Sequence, residues 1–404
     1  MDPHSFAIPF TRPALDDRDS EAVAATIASG WIAAGEKVRR FEEEFAAFIG
    51  RRHGIACHSG AAALELALRA LDIGPGDEVI VPALTFSATA AAPRRLGARV
   101  VFADVRSPDD LTLAAGSVAA AFTPRTKAVI FMPYGGYAGS LADVARVCSD
   151  ARVTLIEDAC HAPGAKAGTR NVGTYGRMAT YSFHTTKNIT TAEGGMVLFD
   201  DPHLIAPMQQ NRSHGVRRVP EMTADGADYT VERVAHNHRM SDMTAALGLA
   251  QLTRLEEYNR ERIRLSQRYD NLLEDMPGLT RPFAQDRDNG VGHLYPVILP
   301  EGTDRRAVRL ALRERAIGTS VHYVPLHREP AYRNGARALP LPVTEAVAPR
   351  LLTLPLYVGM TEIEQQTVIA TLRDSLSATT DPLTAICAGT TPDCKCWRGT
   401  VRHS

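Results

Sequence analysis

The sequence predicts an α/β protein: a large domain with a mostly parallel mixed sheet flanked by helices, and a smaller C-terminal α+β domain. Strand-like apolar segments alternate with helical segments between residues 78 and 199, and this alternation is typical of a parallel sheet covered on both faces. After residue 241 the pattern changes to a long segment rich in Arg and Glu with a leucine stripe. A chain of 404 residues is also long enough for two domains.

Two helices are predicted at the start of the large domain, at residues 16–29 and 36–49. In the second helix, apolar residues recur at helical spacing, and Gly50 is a suitable C-terminal stop. Ser59 is well placed as the N-cap of a third helix that includes residues 64–71. These helices are assigned to the large domain.

The sheet is predicted from apolar segments at residues 78–82, 100–105, 128–132, 154–156, 179–183 and 196–199. Helices are expected between most of them, for example at 87–96 and 140–149. Active sites of such sheets gather at the carboxyl ends of the strands. We therefore expect the turn at Ser59, Asp158 and Lys187 to converge at that edge.

The C-terminal part begins with one long helix or two over residues 242–276. Further elements are predicted from an apolar segment at 293–299, a strand at 319–324, and helices at 304–316 and 361–376. The predicted division is 1–245 for the large domain, which includes the N-terminal helices, 246–376 for the small domain, and 377–404 for a tail.

The tail is rich in Thr, Ala, Pro and Gly, a composition typical of disordered or added segments. Its Cys394 and Cys396 have no second pair at ligand spacing, so we predict no metal site. The six cysteines of the chain do not form a disulfide framework.

Charge and hydropathy exclude some classes of partner. A net charge of −1 gives no electrostatic reason to expect nucleic acid or an anionic membrane. No apolar segment approaches the length of a membrane span, and the N-terminus lacks a basic region followed by an apolar one. We expect a cytoplasmic enzyme with small-molecule substrates.

The most informative segment is the polar loop at residues 182–195, which follows a predicted strand. Only five residues are lysines, against forty arginines, and Lys187 alone lies among hydroxyl residues that could hold a phosphate. A lysine amine shifts its pKa readily and forms Schiff bases with carbonyls, as pyridoxal 5′-phosphate (PLP) chemistry requires. Glu193 is expected to hold the loop in shape.

Asp158 ends another apolar strand, where a carboxylate is costly without a cationic or hydrogen-bonded partner. A protonated pyridine nitrogen is such a partner, and the positive ring then withdraws electrons from the carbanion formed in transamination. A helix cap or an ion pair with an arginine is the alternative. The later lysine in a hydroxyl-rich loop favours the PLP interpretation.

The chain resembles the DegT/StrS-type sugar aminotransferases, a branch of the fold-type I (aspartate aminotransferase-like) PLP enzymes. The matching segments follow the family's order between about residues 8 and 375: 59–64, 74–82, 85–89, 157–161, 182–195, 214–215, 237–240 and 322–323. Such collinearity is more specific than any single motif. The resemblance implies a fold-type I PLP-dependent transferase that alternates between PLP and pyridoxamine 5′-phosphate.

The resemblance implies roles around the cofactor ring. Lys187 would form the Schiff base and then carry protons between the amino-donor carbon and the cofactor. Asp158 would pair with the pyridine nitrogen, and His161 would lie beside the phenolic oxygen. Phe86 would stack on the ring, although a core phenylalanine is its alternative role.

The resemblance also implies a phosphate site. Gly60 and Ala61 would offer backbone N–H groups at a helix N-terminus. The family commonly has threonine where this chain has Ala61, so phosphate binding must depend more on Ser182 and the backbone. Asn237 would reach the phosphate across a dimer interface, which makes a homodimer with shared active sites the smallest complete catalyst.

Three residues are expected at the substrate side. His184 is predicted to face the cavity, and His322 matches a family position near the sugar nucleotide, although a lone histidine is more often structural. Trp31, together with Gly35, matches a segment that helps to form the substrate mouth. A core position is the alternative for Trp31.

The resemblance implies an aminotransferase that moves an amino group from L-glutamate, or a similar donor, to a keto sugar, most simply a nucleotide-linked 4-keto-hexose. A keto-cyclitol aminotransferase is one alternative. A PLP-dependent sugar dehydratase is another, but such enzymes replace the lysine with histidine, and Lys187 argues against it. A PLP-binding regulatory or sensor protein should carry a DNA-binding segment or lack a catalytic group.

Overall fold

Two helices open the part of the chain that this computed structural model describes, residues 6–219 and 226–380. Helix α1 (Asp17–Ala28) begins at a capping box formed by Asp16 and Asp19. Helix α2 (Glu36–Ile49) ends at Gly50, whose φ of 94° lies in the left-handed region that glycine adopts readily. Both helices form within about a residue of their predicted bounds.

Strands and helices then alternate, as predicted. They are β1 (His53–Cys57), α3 (Gly60–Arg69), β2 (Glu78–Pro82), α4 (Ser87–Arg95), β3 (Arg99–Ala103), β4 (Val105–Ser107), β5 (Asp110–Leu113), α5 (Ala115–Ala121), β6 (Thr126–Phe131), α6 (Leu141–Asp150), β7 (Thr154–Asp158), β8 (Lys166–Ala167), β9 (Arg170–Asn171), β10 (Met178–Ser182), β11 (Gly195–Phe199) and α7 (Ile205–Arg212).

The remaining elements include the C-terminal helices and short strands. They are β12 (Val216–Arg218), β13 (Tyr229–Val231), α8 (Asp242–Leu252), α9 (Leu255–Leu272), β14 (Tyr295–Ile298), α10 (Arg305–Glu314), α11 (Pro330–Arg333), β15 (Arg337–Ala338), α12 (Pro342–Val347), β16 (Leu351–Leu354) and α13 (Glu362–Thr380). The segment predicted as one long helix or two is therefore two helices, α8 and α9.

The main sheet has eight strands in the order β1-β11-β10-β7-β6-β2-β3-β15. Strands β10, β7, β6, β2, β3 and β15 are parallel to their neighbours in this series. Strand β11 is antiparallel to both β10 and β1. The sheet is therefore mostly parallel and mixed, which confirms the predicted fold class, and the parallel strands bring their carboxyl ends to one edge.

The strands are buried on both faces, because side chains alternate between two apolar clusters. In β2, for example, Ile80 packs in the cluster that contains Phe41 and Phe45 of α2. Val79 and Val81 pack in the opposite cluster. Period-two alternation into two cores is what a sheet covered by helices on each side requires.

A third apolar cluster lies in the C-terminal part and joins α9, α10 and α13 to β14 and β16. Ile8 also packs there, because its backbone pairs with that of Ile317. The N-terminal segment, which the sequence assigns to the large domain, thus contributes to the C-terminal core. The division at residue 245 stays a prediction.

One predicted strand is wrong. Residues 319–324 form a loop in which only Ser320 pairs with the antiparallel ladder, through Thr353. The β-branched composition of this segment favours a strand, but Pro325 follows it and has no N–H with which to continue a ladder. The loop instead points His322 and Tyr323 towards the cavity described below.

The C-terminal end differs from the prediction in part. Helix α13 continues to Thr380 and so includes the first four residues assigned to the tail. The rest of that tail, with Cys394 and Cys396, lies outside the described residues. Within residues 6–219 and 226–380, no helix has the length and hydropathy needed to cross a membrane.

Candidate active site

A cavity of about 490 Å³ lies at the carboxyl ends of the parallel strands. Nine of the eleven predicted site residues line it: Gly60, Ala61, Phe86, Asp158, His161, Ser182, His184, Lys187 and His322. Trp31 and Asn237 are not among the lining residues. The expected convergence of the turn after Ser59, Asp158 and Lys187 is therefore present.

Lys187 is presented by a loop that returns on itself after β10. The N–H of Phe183 donates to the Gly194 carbonyl at 2.8 Å, and the N–H of Thr191 donates to the Phe183 carbonyl at 2.8 Å. Burial of the amine lowers the pKa of Lys187 below its ordinary value of 10.5. A larger share of this amine is therefore neutral than in a solvent-exposed lysine.

The prediction that Glu193 holds the loop in shape does not extend to its side chain. The hydroxyl of Thr191 donates to the Glu193 carbonyl at 2.8 Å, and that of Thr190 donates to the Phe183 carbonyl at 3.2 Å. The Glu193 carboxylate is exposed and lies 3.8 Å from Nε2 of His184. The threonine hydroxyls and the backbone, and not the Glu193 side chain, therefore hold the loop.

Asp158 lies at the end of β7, buried at the base of the cavity. Its Oδ2 accepts a hydrogen bond of 2.7 Å from the hydroxyl of Thr89. Its Oδ1 is buried and has no hydrogen-bond partner among the described residues. A buried carboxylate oxygen without a donor is costly, so this oxygen suits a ligand that brings an N–H group.

The turn between β1 and α3 forms an anion cradle. Ser59 caps α3 by accepting from the N–H of Ala62 at 3.2 Å, which leaves the N–H groups of Gly60 and Ala61 without intrahelical acceptors. A Cβ on Gly60 would lie 2.7 Å from Cβ of Ser182, so only glycine allows this close approach. Backbone N–H groups and the Ser182 hydroxyl thus face the same space, as a phosphate requires.

His161 is part of a group of aromatic side chains. Its Nε2 lies 3.0 Å from the Tyr323 hydroxyl, and its ring lies 4.4 Å from that of His293, centroid to centroid. Burial holds the pKa of both His161 and His293 well below 6.5. Both imidazoles are therefore neutral near pH 7.

The two predicted substrate histidines lie elsewhere on the cavity wall. Nδ1 of His184 is 3.0 Å from the Thr186 hydroxyl, and Nδ1 of His322 is 2.9 Å from the Thr353 hydroxyl. Burial lowers the pKa of His322 to about 3. The His322 ring stacks on Phe10 at 5.4 Å.

Phe86, Trp31 and Asn237 are all exposed in the single chain. Phe86 precedes α4 and is 57% exposed, although it lines the cavity, so it is not a core residue. Trp31 is 64% exposed, which excludes the core alternative for it as well. Asn237 is exposed, and its Oδ1 accepts from the N–H of Arg239 at 3.3 Å.

The cavity also contains residues to which the sequence interpretation gave no role. Phe10, Cys160, His293 and Tyr323 line it, and Thr89 supports Asp158 from behind. His293 is a lone histidine without a motif, and Phe10 is far from the cofactor motifs in the chain. Tyr323 follows His322 within a matched segment, and Thr89 ends another, so the resemblance offered a signal for these two.

The fold and cavity define a PLP-dependent enzyme of fold-type I. A lysine amine, a buried carboxylate oxygen without a partner and a helix N-terminus that can hold a phosphate meet at one edge of a mixed sheet. The family model of the DegT/DnrJ/EryC1/StrS aminotransferase family matches residues 13–373. The chain belongs to this family of PLP-dependent aminotransferases.

Individual relatives are similar over nearly their whole length. The chain is 37% identical to the spore coat polysaccharide biosynthesis protein SpsC of Bacillus subtilis, covering 91% of this chain and 96% of that protein. It is 37% identical to dTDP-4-dehydro-2,3,6-trideoxy-D-glucose 4-aminotransferase of Saccharopolyspora spinosa, covering 88% and 94%. The second of these relatives is, by its name, an aminotransferase that acts on a nucleotide-linked sugar.

The fold agrees with a solved relative in two cofactor forms. The putative sugar aminotransferase Spr1654 of Streptococcus pneumoniae, in its PMP form, superposes with a TM-score of 0.86 at 27% identity, covering 92% of this chain and 100% of that one. A PLP form of the same protein gives a TM-score of 0.85. The enzyme's cofactor is PLP, and the residues that line this cavity fit it.

Proposed function

We propose that this aminotransferase moves an amino group from L-glutamate to the 4-keto group of a hexose linked to a nucleotide, giving an amino sugar. The observation that carries the proposal is that Lys187 and Asp158 share one cavity with an anion cradle. Two neutral histidines, His161 and His293, line the same cavity. The 4-keto substrate is supported by the relative from Saccharopolyspora spinosa, which is 37% identical and acts at that position by name.

The cofactor side of the cavity has three parts. PLP, when bound, supplies an electron sink that stabilises negative charge on the carbon that loses a proton. We propose that Oδ1 of Asp158 holds the pyridine N–H, while Thr89 fixes the carboxylate through Oδ2. Gly60, Ala61 and Ser182 are proposed to hold the phosphate, and Phe86 to cover one face of the ring.

Lys187 is proposed to carry protons as well as the cofactor. A general base works best when its pKa is near the working pH, and burial moves the pKa of Lys187 in that direction. The amine can then accept a proton from the amino-donor carbon and return it at a neighbouring position. Thr190 and Thr191 restrict the loop, which keeps the amine near both positions.

The sugar side is proposed to use His184 and His322. Since the pKa of His322 is about 3, this ring is uncharged near pH 7 and can hydrogen-bond a sugar hydroxyl or keto group without attracting an anion. Phe10 stacks on it and keeps the ring plane fixed. Stacked rings of this kind hold their orientation at low entropic cost.

A homodimer is proposed to complete the site. Asn237 and Trp31 are exposed and outside the single chain's cavity, and apolar side chains near Asn237 are exposed too: Val234 is 96% and Val231 61% exposed. Two such exposed apolar side chains on one short segment suit an interface. In the dimer, Asn237 would contribute to the phosphate site of the other subunit, and Trp31 would help to form a substrate mouth.

The first half of the reaction can be tested without a sugar. The PLP-loaded enzyme is mixed with L-glutamate, and the absorbance band of bound PLP and the 2-oxoglutarate formed are measured. Loss of the band with one equivalent of 2-oxoglutarate per site is expected. A band that responds to another amino acid but not to L-glutamate would overturn the choice of donor.

The acceptor is then identified by recovery of the band. Nucleotide-linked 4-keto-hexoses, 3-keto-hexoses and keto-cyclitols are added separately to the glutamate-treated enzyme. We expect recovery with the 4-keto-hexoses and an amino sugar as product. Recovery only with a 3-keto-hexose or a keto-cyclitol would contradict the proposed acceptor while leaving the donor assignment intact.

A further inference from the structure

Tyr323 lies where the cofactor side and the substrate side of the cavity meet. It follows His322 in the chain, and its ring is 6.1 Å from that of Phe86. Its hydroxyl lies 3.0 Å from Nε2 of His161. No other tyrosine hydroxyl among the described residues makes a hydrogen bond with a cavity histidine.

The direction of this hydrogen bond follows from counting donors and acceptors. Nδ1 of His161 is buried and has no partner in the described chain. If Tyr323 donates to Nε2, the imidazole proton sits on Nδ1 and only that N–H lacks a partner. If Nε2 donates, the buried Nδ1 lone pair has no donor and the Tyr323 O–H has no acceptor among the described residues, so two polar groups are unmet instead of one. The geometry therefore favours Tyr323 as donor.

The other neighbours of His161 restrict the position of its ring but do not determine which ring nitrogen carries the proton. The ring of His293 lies tilted by 40° against that of His161, and Nδ1 of His293 lies 3.1 Å from Oδ1 of Asn188. Asn188 is anchored by donating to Asn259 and to the Val291 carbonyl, each at 2.8 Å. His293 is thus held in place, but among the described residues only Tyr323 bonds to a nitrogen of His161.

We propose that Tyr323 is a positioning residue of the cofactor site: its hydroxyl holds His161 in the neutral form with the proton on Nδ1. That N–H is then available for a hydrogen bond with the phenolic oxygen of PLP. The proposal rests on the proposed function and on the place beside the phenolic oxygen that the family resemblance implies for His161. Without the Tyr323 hydroxyl, His161 would exchange tautomers and lose part of its orientation.

The test compares Tyr323→Phe with Tyr134→Phe. Tyr134 is a matched control because its ring is 6.2 Å from that of Tyr323, and its hydroxyl is buried without a partner among the described residues. For Tyr323→Phe we expect the dissociation constant of the apoenzyme for PLP to rise about three- to tenfold, the effect of one lost hydrogen bond between neutral groups. Tyr134→Phe should leave it unchanged.

A second readout is the pH midpoint of the absorbance band of bound PLP. A donor to the phenolic oxygen stabilises the deprotonated, more negative form, so weakening that donor should move the midpoint upward in Tyr323→Phe. The midpoint of Tyr134→Phe should match that of the unaltered enzyme. Equal PLP affinity and equal midpoints in both variants would overturn the proposal.

A double-mutant cycle shows whether Tyr323 acts through His161. In a His161→Ala background, Tyr323→Phe should cause no further loss of PLP affinity, because the bond is already absent. A further loss as large as in the unaltered enzyme would refute action through His161. Failure of the proposed function is distinguishable, since the unaltered enzyme would then not react with L-glutamate at all.

Discussion

Replacing Thr89 by valine tests whether Asp158 needs a bound ligand to supply a second hydrogen-bond donor to its carboxylate. Thr89 is fully buried and donates to Oδ2 of Asp158 at 2.7 Å. Valine has a similar shape, so the main change is loss of the donor. Since Oδ1 already lacks a partner, the variant without PLP would keep neither oxygen of Asp158 hydrogen-bonded within the described chain.

The magnitude follows from the kind of hydrogen bond that is lost. A hydrogen bond to a charged group contributes about 1.5–3 kcal/mol, against about 1 kcal/mol between neutral groups. The free energy of unfolding of the PLP-free Thr89→Val protein should therefore fall by about 1.5–3 kcal/mol. With saturating PLP the deficit should be smaller, because the pyridine N–H then meets the carboxylate.

Thr85→Val is the matched control. Thr85 is equally buried, and its hydroxyl lies 2.9 Å from that of Thr89 and 3.1 Å from Sδ of Met132, so it touches no charged group. Its loss should cost about 1 kcal/mol whether or not PLP is bound. Urea unfolding followed by circular dichroism, with and without PLP, measures both variants. An equal loss in the two variants, or a Thr89→Val deficit that PLP does not reduce, would refute the reasoning.

Three further outcomes are expected. Lys187→Ala should abolish multiple turnover, whereas Lys166→Ala, which alters an exposed lysine, should not; substantial turnover by Lys187→Ala would remove that lysine from the chemistry. Because the pKa of His322 falls from 6.5 to about 3 on folding, the unfolded chain binds more protons below pH 6.5 and the free energy of unfolding falls as the pH falls; in His322→Gln this slope should be shallower by up to about 1.4 kcal/mol per pH unit, and identical slopes in urea titrations between pH 6.5 and 4 would contradict it. Deletion after Thr380 should leave kcat and thermal stability unchanged, and an inactive product would show that the tail contributes to the fold.

The sequence predicts most of the sheet because most of its strands carry their own signal. The segments at β2, β6, β7, β10 and β11 are short, apolar and bounded by polar turns, and the structure forms a strand at each. Strand β1 was not predicted, because His53 and Gly54 at its start give no strand pattern. It forms because it pairs with all five residues of β11, a long-range contact that local patterns do not encode.

The site residues could be predicted where several reactive or ligand-binding side chains lie in one short segment of the sequence. Lys187, Ser182 and His184 share one loop, and Asp158 and His161 share another, so each loop carries its residues to the sheet edge together. Phe10 could not be found in this way. It reaches the cavity because the backbone of Ile8 pairs with a distant segment: the N–H of Ile8 donates to the Ala316 carbonyl at 3.1 Å, and the N–H of Gly318 donates to the Ile8 carbonyl at 2.8 Å. Nothing near Phe10 in the sequence indicates that pairing.

Burial links the separate electrostatic features of the cavity. Desolvation is the largest cause of the lowered pKa of Lys187, His161 and His322, and it acts on each by disfavouring a positive charge. The same walls bury Asp158, whose Oδ1 has no hydrogen-bond partner within the described chain. The basic side chains of the cavity are thus shifted towards their neutral forms, while Oδ1 of Asp158 remains available as an acceptor. Such a cavity favours a ligand that carries a positive charge on an N–H group directed at Asp158. This arrangement follows from burial at the strand ends, so enlarging the opening to solvent should weaken PLP binding and raise the pKa of Lys187 together.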